Sequence, residues 1–328
     1  MDLTQKMTLQ ETRLQASDDE IDLRELFSVL WDGKVWISAI TAAASVISIL
    51  AALSLPNIYE SKALLAPKSD GGSGGLSRLA AQYGGLASFA GIDLSGAGAG
   101  NLSKAALAQE KLKSLSFFTE HLYEEVLVDL MAVDYWDPVS GEVVIDSSVY
   151  NQATGQWVKE ISSPRSKSKP SPQEAHNTFI QSISLREDKL SGLVTLLVKH
   201  ESPIVAKAWA DMLIDRINEV IRAEDVGEAE ASIAFLEAQR EQTSLVSLDE
   251  VFAQLIEEQT KTIMLANVSK DYVFDIIDPP VVPELKAEPS RALISGLGTL
   301  LGGMVGFVWV LIRHYARSED EVRYHERG

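Results

Sequence analysis

The sequence predicts an α+β membrane protein: two transmembrane helices flank a mixed helix-and-sheet domain, and a long helical hairpin extends from it. Three observations predict this class. Residues 35–55, VWISAITAAASVISILAALSL, and residues 292–312, ALISGLGTLLGGMVGFVWVLI, each run for 21 positions without a charge. At about 1.5 Å of rise per residue, either run crosses a hydrocarbon layer of about 30 Å. Thirdly, an amphipathic stripe runs from residue 203 to about 243, longer than the usual globular helix.

Two spans leave both termini on one side of the membrane and residues 56–291 on the other. Arg24 and Lys34 precede the first span, and Arg313, His314 and Arg317 follow the second. Positive flanking charge therefore reads residues 1–34 and 313–328 as cytoplasmic. A cleaved signal peptide would need a short basic leader and a shorter apolar core, and this leader is long and carries Asp18, Asp19, Glu20 and Asp22. The net charge of -18 argues against a nucleic-acid partner, because binding phosphate is largely the work of basic residues. With no cysteine the chain has no thiol nucleophile, zinc-thiolate site or disulfide, so the large domain must be held by core burial or by assembly.

The elements follow in order. IDLRELFSVLW, residues 21–31, reads equally as a short interfacial helix or as an early start of the first span, with Trp31 and Trp36 at headgroup level. NIYESKALLAP, 57–67, reads as a strand. Residues 69–101, rich in glycine, serine and alanine, read as a flexible loop. Apolar positions from Leu107 to Leu130, mostly three or four apart, predict one or two helices over 103–132. EVVID, 142–146, predicts a short strand, and 161–175, with three prolines, a loop. QSISLR and LVTLLVK around EDKLSG predict a hairpin of two strands.

From Pro203 the stripe Met212, Ile214, Ile217, Ile221, Ile233 and Leu236 predicts a helix of roughly 60 Å, with a bend possible at Gly227. A capping box of Ser247 and Glu250 restarts a helix to about Asn267. One such hairpin has little core of its own. Its stripe needs neighbouring copies, which predicts a homo-oligomer. SKDYVFDII, 269–277, reads as a returning strand. Pro279, Pro280, Pro283 and Pro289 then deny the chain both helix and interior sheet, and predict an extended, semi-rigid strut into the second span.

No constellation for catalysis emerges, and no cofactor or metal is expected. GGSGG at 71–75 matches G-x-S-x-G in letters only, without a strand and a helix on its flanks. The histidines at 121, 176, 200, 314 and 325 lack metal-ligand spacing, and His200 reads as structural. Lys159, Arg165, Lys167 and Lys169 read as a solvated loop, and Tyr135, Trp136 and Trp157 as packing residues before sugar platforms. The transmembrane glycines are more specific: Gly298, Gly302 and Gly306 lie four apart on one helix face, a doubled GxxxG that admits a second helix closely. Ala43, Ser45 or Ala51 of the first span could meet them.

IDLRELFSVLWDGKVWI, YGGLASFAGIDL, SGLVTLLVKHESPIVAKAWADMLIDRIN and DYVFDIIDPPVVPELKAEPSRALI together resemble the Wzz family over nearly all of residues 20–315. The resemblance implies a polysaccharide co-polymerase that sets lipopolysaccharide O-antigen chain length in the bacterial inner membrane. It implies a periplasmic α/β base domain over 56–202 and 268–291, with the long extended helical hairpin over about 203–267. It further implies copies assembled as a ring, no catalysis of its own, and partnership with the O-antigen polymerase and its lipid-linked polysaccharide. Relatives for capsule or exopolysaccharide often carry a cytoplasmic kinase domain; the sixteen residues after the second span are too few for one.

Overall fold

The computed structural model describes residues 23–68, 103–158, 168–242 and 246–325. The glycine-rich stretch with GGSGG and YGGLASFAGIDL, the residues Lys159, Arg165 and Lys167, and the Ser247 side chain of the expected capping box lie outside the described residues. The architecture is mixed helix and sheet, with two candidate membrane helices and one long helix, as the sequence predicts. It divides into two compact units, residues 1–56 with 289–328, and residues 57–288.

In the first unit, α1 (Leu23–Asp32) is separated by Gly33 from α2 (Lys34–Ser54), so the entry to the first span is a distinct short helix. The second candidate membrane helix belongs to α9 (Arg291–His325). In a helix every backbone donor and acceptor is satisfied within the segment, which is the condition for crossing hydrocarbon.

The second unit is built on a four-stranded antiparallel sheet in the order β6 (Ile183–Glu187), β7 (Val194–His200), β1 (Tyr59–Pro67), β8 (Phe274–Asp278). β1 pairs along its length with β7, from Tyr59 opposite His200 to Leu65 opposite Val194. The β6–β7 turn is closed by Asp188, whose Oδ1 accepts from the Leu190 amide at 3.0 Å, and by Gly192, whose φ of 70° a side chain would disfavour. Pro67 ends β1 opposite Phe274, and β8 reaches only the last four residues of β1, so β8 is a short edge strand.

Three helices form where one or two were expected: α3 (Lys104–Leu112), α4 (Leu115–His121) and α5 (Tyr123–Met131). The periodicity runs through all three, but Ser114 caps the second by accepting from the Phe117 amide at 3.2 Å, and Leu122 leaves helical geometry between the second and third. Short antiparallel pairs follow, β2 (Val133–Trp136) with β3 (Val143–Ile145) and β4 (Tyr150–Asn151) with β5 (Gln156–Trp157). Trp136 packs edge-on against Tyr59 at 5.3 Å between ring centres, and Trp157 against Tyr150 at 5.1 Å.

The loop expected over 161–175 is corrected at its end: α6 runs from Pro172 to Ser182. Proline at the first helical position lacks a donor that would be unpaired anyway, and Ser171 accepts from the Glu174 amide at 3.2 Å. Lys169 is paired with Glu124 at 2.7 Å.

α7 (Pro203–Gln242) is one helix of 40 residues, continuous through Gly227, and α8 (Val246–Val268) packs back along it. Its two halves differ. Ala206, Trp209, Ala210, Leu213, Ile214, Ile217 and Ile221 are buried in the core that also holds Phe117, Phe118, Phe179 and Phe274. Beyond residue 222 the buried positions are Ala229 and Leu236, and Leu236 joins Val251, Phe252 and Leu255 in a separate small cluster. Arg240 and Asp249 close the far end of the hairpin at 2.7 Å.

The returning strand begins at Phe274, five residues later than the sequence suggested, and the reason is one side chain. Asn218, 3 % exposed on α7, accepts at Oδ1 from the amides of Tyr272 (3.1 Å), Val273 (2.7 Å) and Phe274 (3.0 Å). Its Nδ2 donates to the carbonyls of Ile214 at 3.0 Å and Phe274 at 3.4 Å. Three amides that would have started a strand are satisfied by the long helix instead. On the solvent side of this joint Asp225 accepts from both Lys104 and Tyr272 at 2.7 Å.

Candidate functional site

Two features assemble residues of functional interest, one in each unit. In the first unit, Gly298, Gly302 and Gly306 all lie on the face of α9 that meets α2. A side-chain carbon on Gly298 would overlap Ser48, and one on Gly302 would overlap the Ala44 methyl with the Thr41 Cα 3.5 Å away. At Gly306 it would sit 3.2 Å from the Ile37 Cα. The ridge therefore holds the two helices at backbone contact, where small residues let dispersion act along the whole seam. Gly33, between α1 and α2, continues it against Val310.

Of the residues expected opposite the ridge, Ser45 is adjacent but meets Thr299, the two hydroxyl oxygens 3.1 Å apart across the pair. The atoms nearest the glycines belong to Ile37, Ile40, Thr41, Ala44 and Ser48 rather than to Ala43 or Ala51. Thr41, Ser48 and Ser295 turn their hydroxyls onto carbonyls of their own helices, at 2.7, 2.9 and 2.8 Å, so no polar group is stranded in the seam. The outer faces carry Val46, Ile47, Leu50 and Leu53, and Leu297, Leu301, Met304 and Val305, all more than half exposed. A continuous apolar surface of that kind marks a membrane or protein contact rather than a face open to water. At the ends, Arg313 stacks over Trp36 at 4.9 Å and Lys34 over Trp31 at 4.7 Å, cation and aromatic together as in a headgroup belt.

In the second unit, the prolines follow β8. Pro279 is exposed, Pro280 is buried and Pro283 half-buried. The segment is extended, pinned by the Ser61 hydroxyl donating to the Val281 carbonyl at 2.9 Å and by the isolated bridge of Ile58 with Glu288. Pro289 is the first residue of the returning part of the other unit.

Beside that bridge is a cleft of about 330 Å³ whose lining includes Asp129, Lys199, His200, Glu201 and Glu288. His200 is fixed at both nitrogens: Nδ1 accepts from the Ser202 amide at 2.9 Å, which leaves Nε2 to donate to the Asp129 carbonyl at 2.9 Å. Burial holds its imidazole below the usual range, against the opposing pull of that carbonyl and the Asp129 carboxylate. Burial also raises the Asp129 carboxyl, and raises Glu201 together with repulsion from Asp134. Among the described residues no group of three metal-ligating side chains converges.

His200 gives a prediction. Its folded pKa lies below the unfolded value of about 6.5. The neutral ring's stability is present above that value and is lost as pH falls through the folded pKa. The raised Asp129 and Glu201 act in the opposite sense, in the lower carboxylate range. His200→Gln, which cannot titrate, is expected to flatten the loss of thermal stability just below about pH 6.5. Melting the full chain in detergent at stepped pH checks this, and an unchanged slope would refute it.

With these features described, similarity to known proteins can be placed on them. Residues 19–125, from the approach to α1 into α5, match the family model "Chain length determinant protein", Wzz. Residues 242–315, holding α8, β8, the proline segment and the glycine ridge, match GNVR, the "G-rich domain on putative tyrosine kinase". These two matches support a Wzz-family chain. The first of them is to the chain-length determinants. Among solved structures, one titled "full-length bacterial polysaccharide co-polymerase" is similar at 13 % identity, covering 92 % of this chain and 99 % of that one, with a TM-score of 0.37. No curated protein matches the chain.

The Asn218 joint and the His200 cleft were not found in the sequence. Asn218 left one signal there: it interrupts the apolar stripe one residue after Ile217 and four after Ile214.

Proposed function

We propose that this Wzz-family chain is a non-enzymatic regulator of lipopolysaccharide O-antigen chain length in the bacterial inner membrane, both termini cytoplasmic and residues 56–291 periplasmic. It acts as a homo-oligomer with the O-antigen polymerase and its lipid-linked polysaccharide. The observation that carries the reading is where the two family matches fall: on the helix pair joined by Gly298, Gly302 and Gly306, and on the returning helix of the hairpin with the proline-led segment after it. Among its described residues the outer half of that hairpin buries only Ala229, Leu236, Val251, Phe252 and Leu255, and leaves Phe235 54 % exposed. Such a hairpin is stabilised by packing on further copies.

A second reading has one observation in its favour. The match over residues 242–315 is to a domain described on kinase chains, which fits regulators of capsule or exopolysaccharide; enterobacterial common antigen is a further glycan of this kind, and a scaffold of an export complex a related role. Deleting the gene and profiling each surface glycan separates them. O-antigen alone is expected to lose its preferred length, and a change confined to another glycan would move the function there. Every profile unchanged would leave the scaffold role.

A further inference from the structure

One surface of the second unit is left over by this account. After β8 the chain is pinned at Val281 by the Ser61 hydroxyl, and again where Ile58 and Glu288 pair, the Ala287 amide also donating to the Ile58 carbonyl at 2.8 Å. Between the pins the backbone bends at Glu284 and Leu285 and presents apolar side chains outward: Leu285 is 84 % exposed, Val281 61 % and Val282 45 %. Lys286 follows, its Nζ 3.3 Å from the Asn57 side-chain oxygen. A leucine held at the tip of a loop fixed at both ends cannot fold back into the core.

Chain length says where that tip can be. Glu288 precedes the first residue of α9 by three positions, and Ile58 follows the last residue of α2 by four. At about 3.3–3.6 Å per residue, the chain connecting the paired base of the loop to either helix end is at most roughly 10–14 Å long, and that from Leu285 to Arg291 at most roughly 20 Å. The interfacial layer on each face of a bilayer is itself about 5–8 Å deep.

We propose that the 281–286 loop is a membrane-docking surface, with Leu285, Val281 and Val282 seated in the headgroup layer of the bilayer that α2 and α9 cross. The proposal rests on the reading that those helices span. A lipid surface fits the chemistry: Val281, Val282 and Leu285 are apolar and exposed, with the exposed Glu284 and Lys286 on either side of the leucine, so a shallow interfacial contact can place the apolar groups below the headgroups and both charges among them.

The absence of cysteine makes the test direct. Single-cysteine variants of the full chain, Leu285→Cys, Leu190→Cys and Leu301→Cys, are labelled with an environment-sensitive fluorophore in lipid nanodiscs. Leu190, 99 % exposed in the β6–β7 turn, reports water; Leu301, 58 % exposed on α9, reports the hydrocarbon. The expected result is that the Leu285 probe loses emission to headgroup-spin-labelled lipid and is protected from aqueous iodide. Quenching by iodide as at Leu190 overturns the docking surface. Protection from both quenchers overturns it too, and shows another protein copy on the loop. A Leu301 probe untouched by acyl-chain spin labels would instead fault the spanning reading.

Discussion

Gly302→Leu is expected to part the two membrane helices and, on the function proposed here, to shift the preferred polysaccharide length while the protein is still made. A side chain at that position overlaps the Ala44 methyl, and the Thr41 Cα at 3.5 Å leaves the backbone no room to retreat. Forcing bulk into a packed seam costs about 1–3 kcal/mol, and here the close approach along the whole ridge is lost with it. The seam has its own reporter. Ser45→Cys with Thr299→Cys places two thiols where the hydroxyls now stand 3.1 Å apart, in a chain without other cysteines. Oxidative cross-linking in membranes is expected to be efficient in that pair and much reduced when Gly302→Leu is added. Gly296→Leu is the control, because a side chain there meets nothing within 4 Å. Equal cross-linking and equal polysaccharide length in the Gly302 variant would show the ridge to be incidental.

Asn218→Leu is expected to be the most destabilising single substitution in the second unit. Leucine fills nearly the same volume but accepts nothing, so the amides of Tyr272, Val273 and Phe274 lose their shared acceptor in a buried site. An unsatisfied buried donor costs about 1–3 kcal/mol, and three together approach the total stability of an ordinary domain, about 5–15 kcal/mol. Asn218→Asp keeps the acceptor and loses the donor to Ile214 and Phe274, and should fall between the two. Limited proteolysis and thermal melting of the full chain in detergent order the three proteins. An Asn218→Leu chain as resistant as the parent would mean the joint is bypassed by water or by rearrangement.

The fold was legible where a pattern repeats over many residues. Both candidate membrane helices, the 40-residue α7 and the β6–β7 hairpin each announce themselves through a run or a period that no single residue can disguise. Boundaries set by one side chain were not legible. Ser114 divides a periodic stretch, and Ser171 starts a helix in a proline-rich segment that composition alone reads as loop. The glycine ridge was visible as a face, but its partners were not, because register between two helices is set by their crossing rather than by either helix's own period. Asn218 was hardest: its five hydrogen bonds join positions more than fifty residues apart in all but one case, and a polar residue interrupting the stripe does not say which distant amides it meets.

The central claim is that this chain regulates the length of a polysaccharide without making it. The measurement that tests it most directly separates amount from length in a strain lacking the gene, by total O-antigen sugar content alongside gel-resolved chain length. Near-normal total polymer is expected, with the preferred length replaced by a broad distribution and restored by the intact gene. Loss of the polymer itself, or a length distribution identical to the parent strain's, would contradict it.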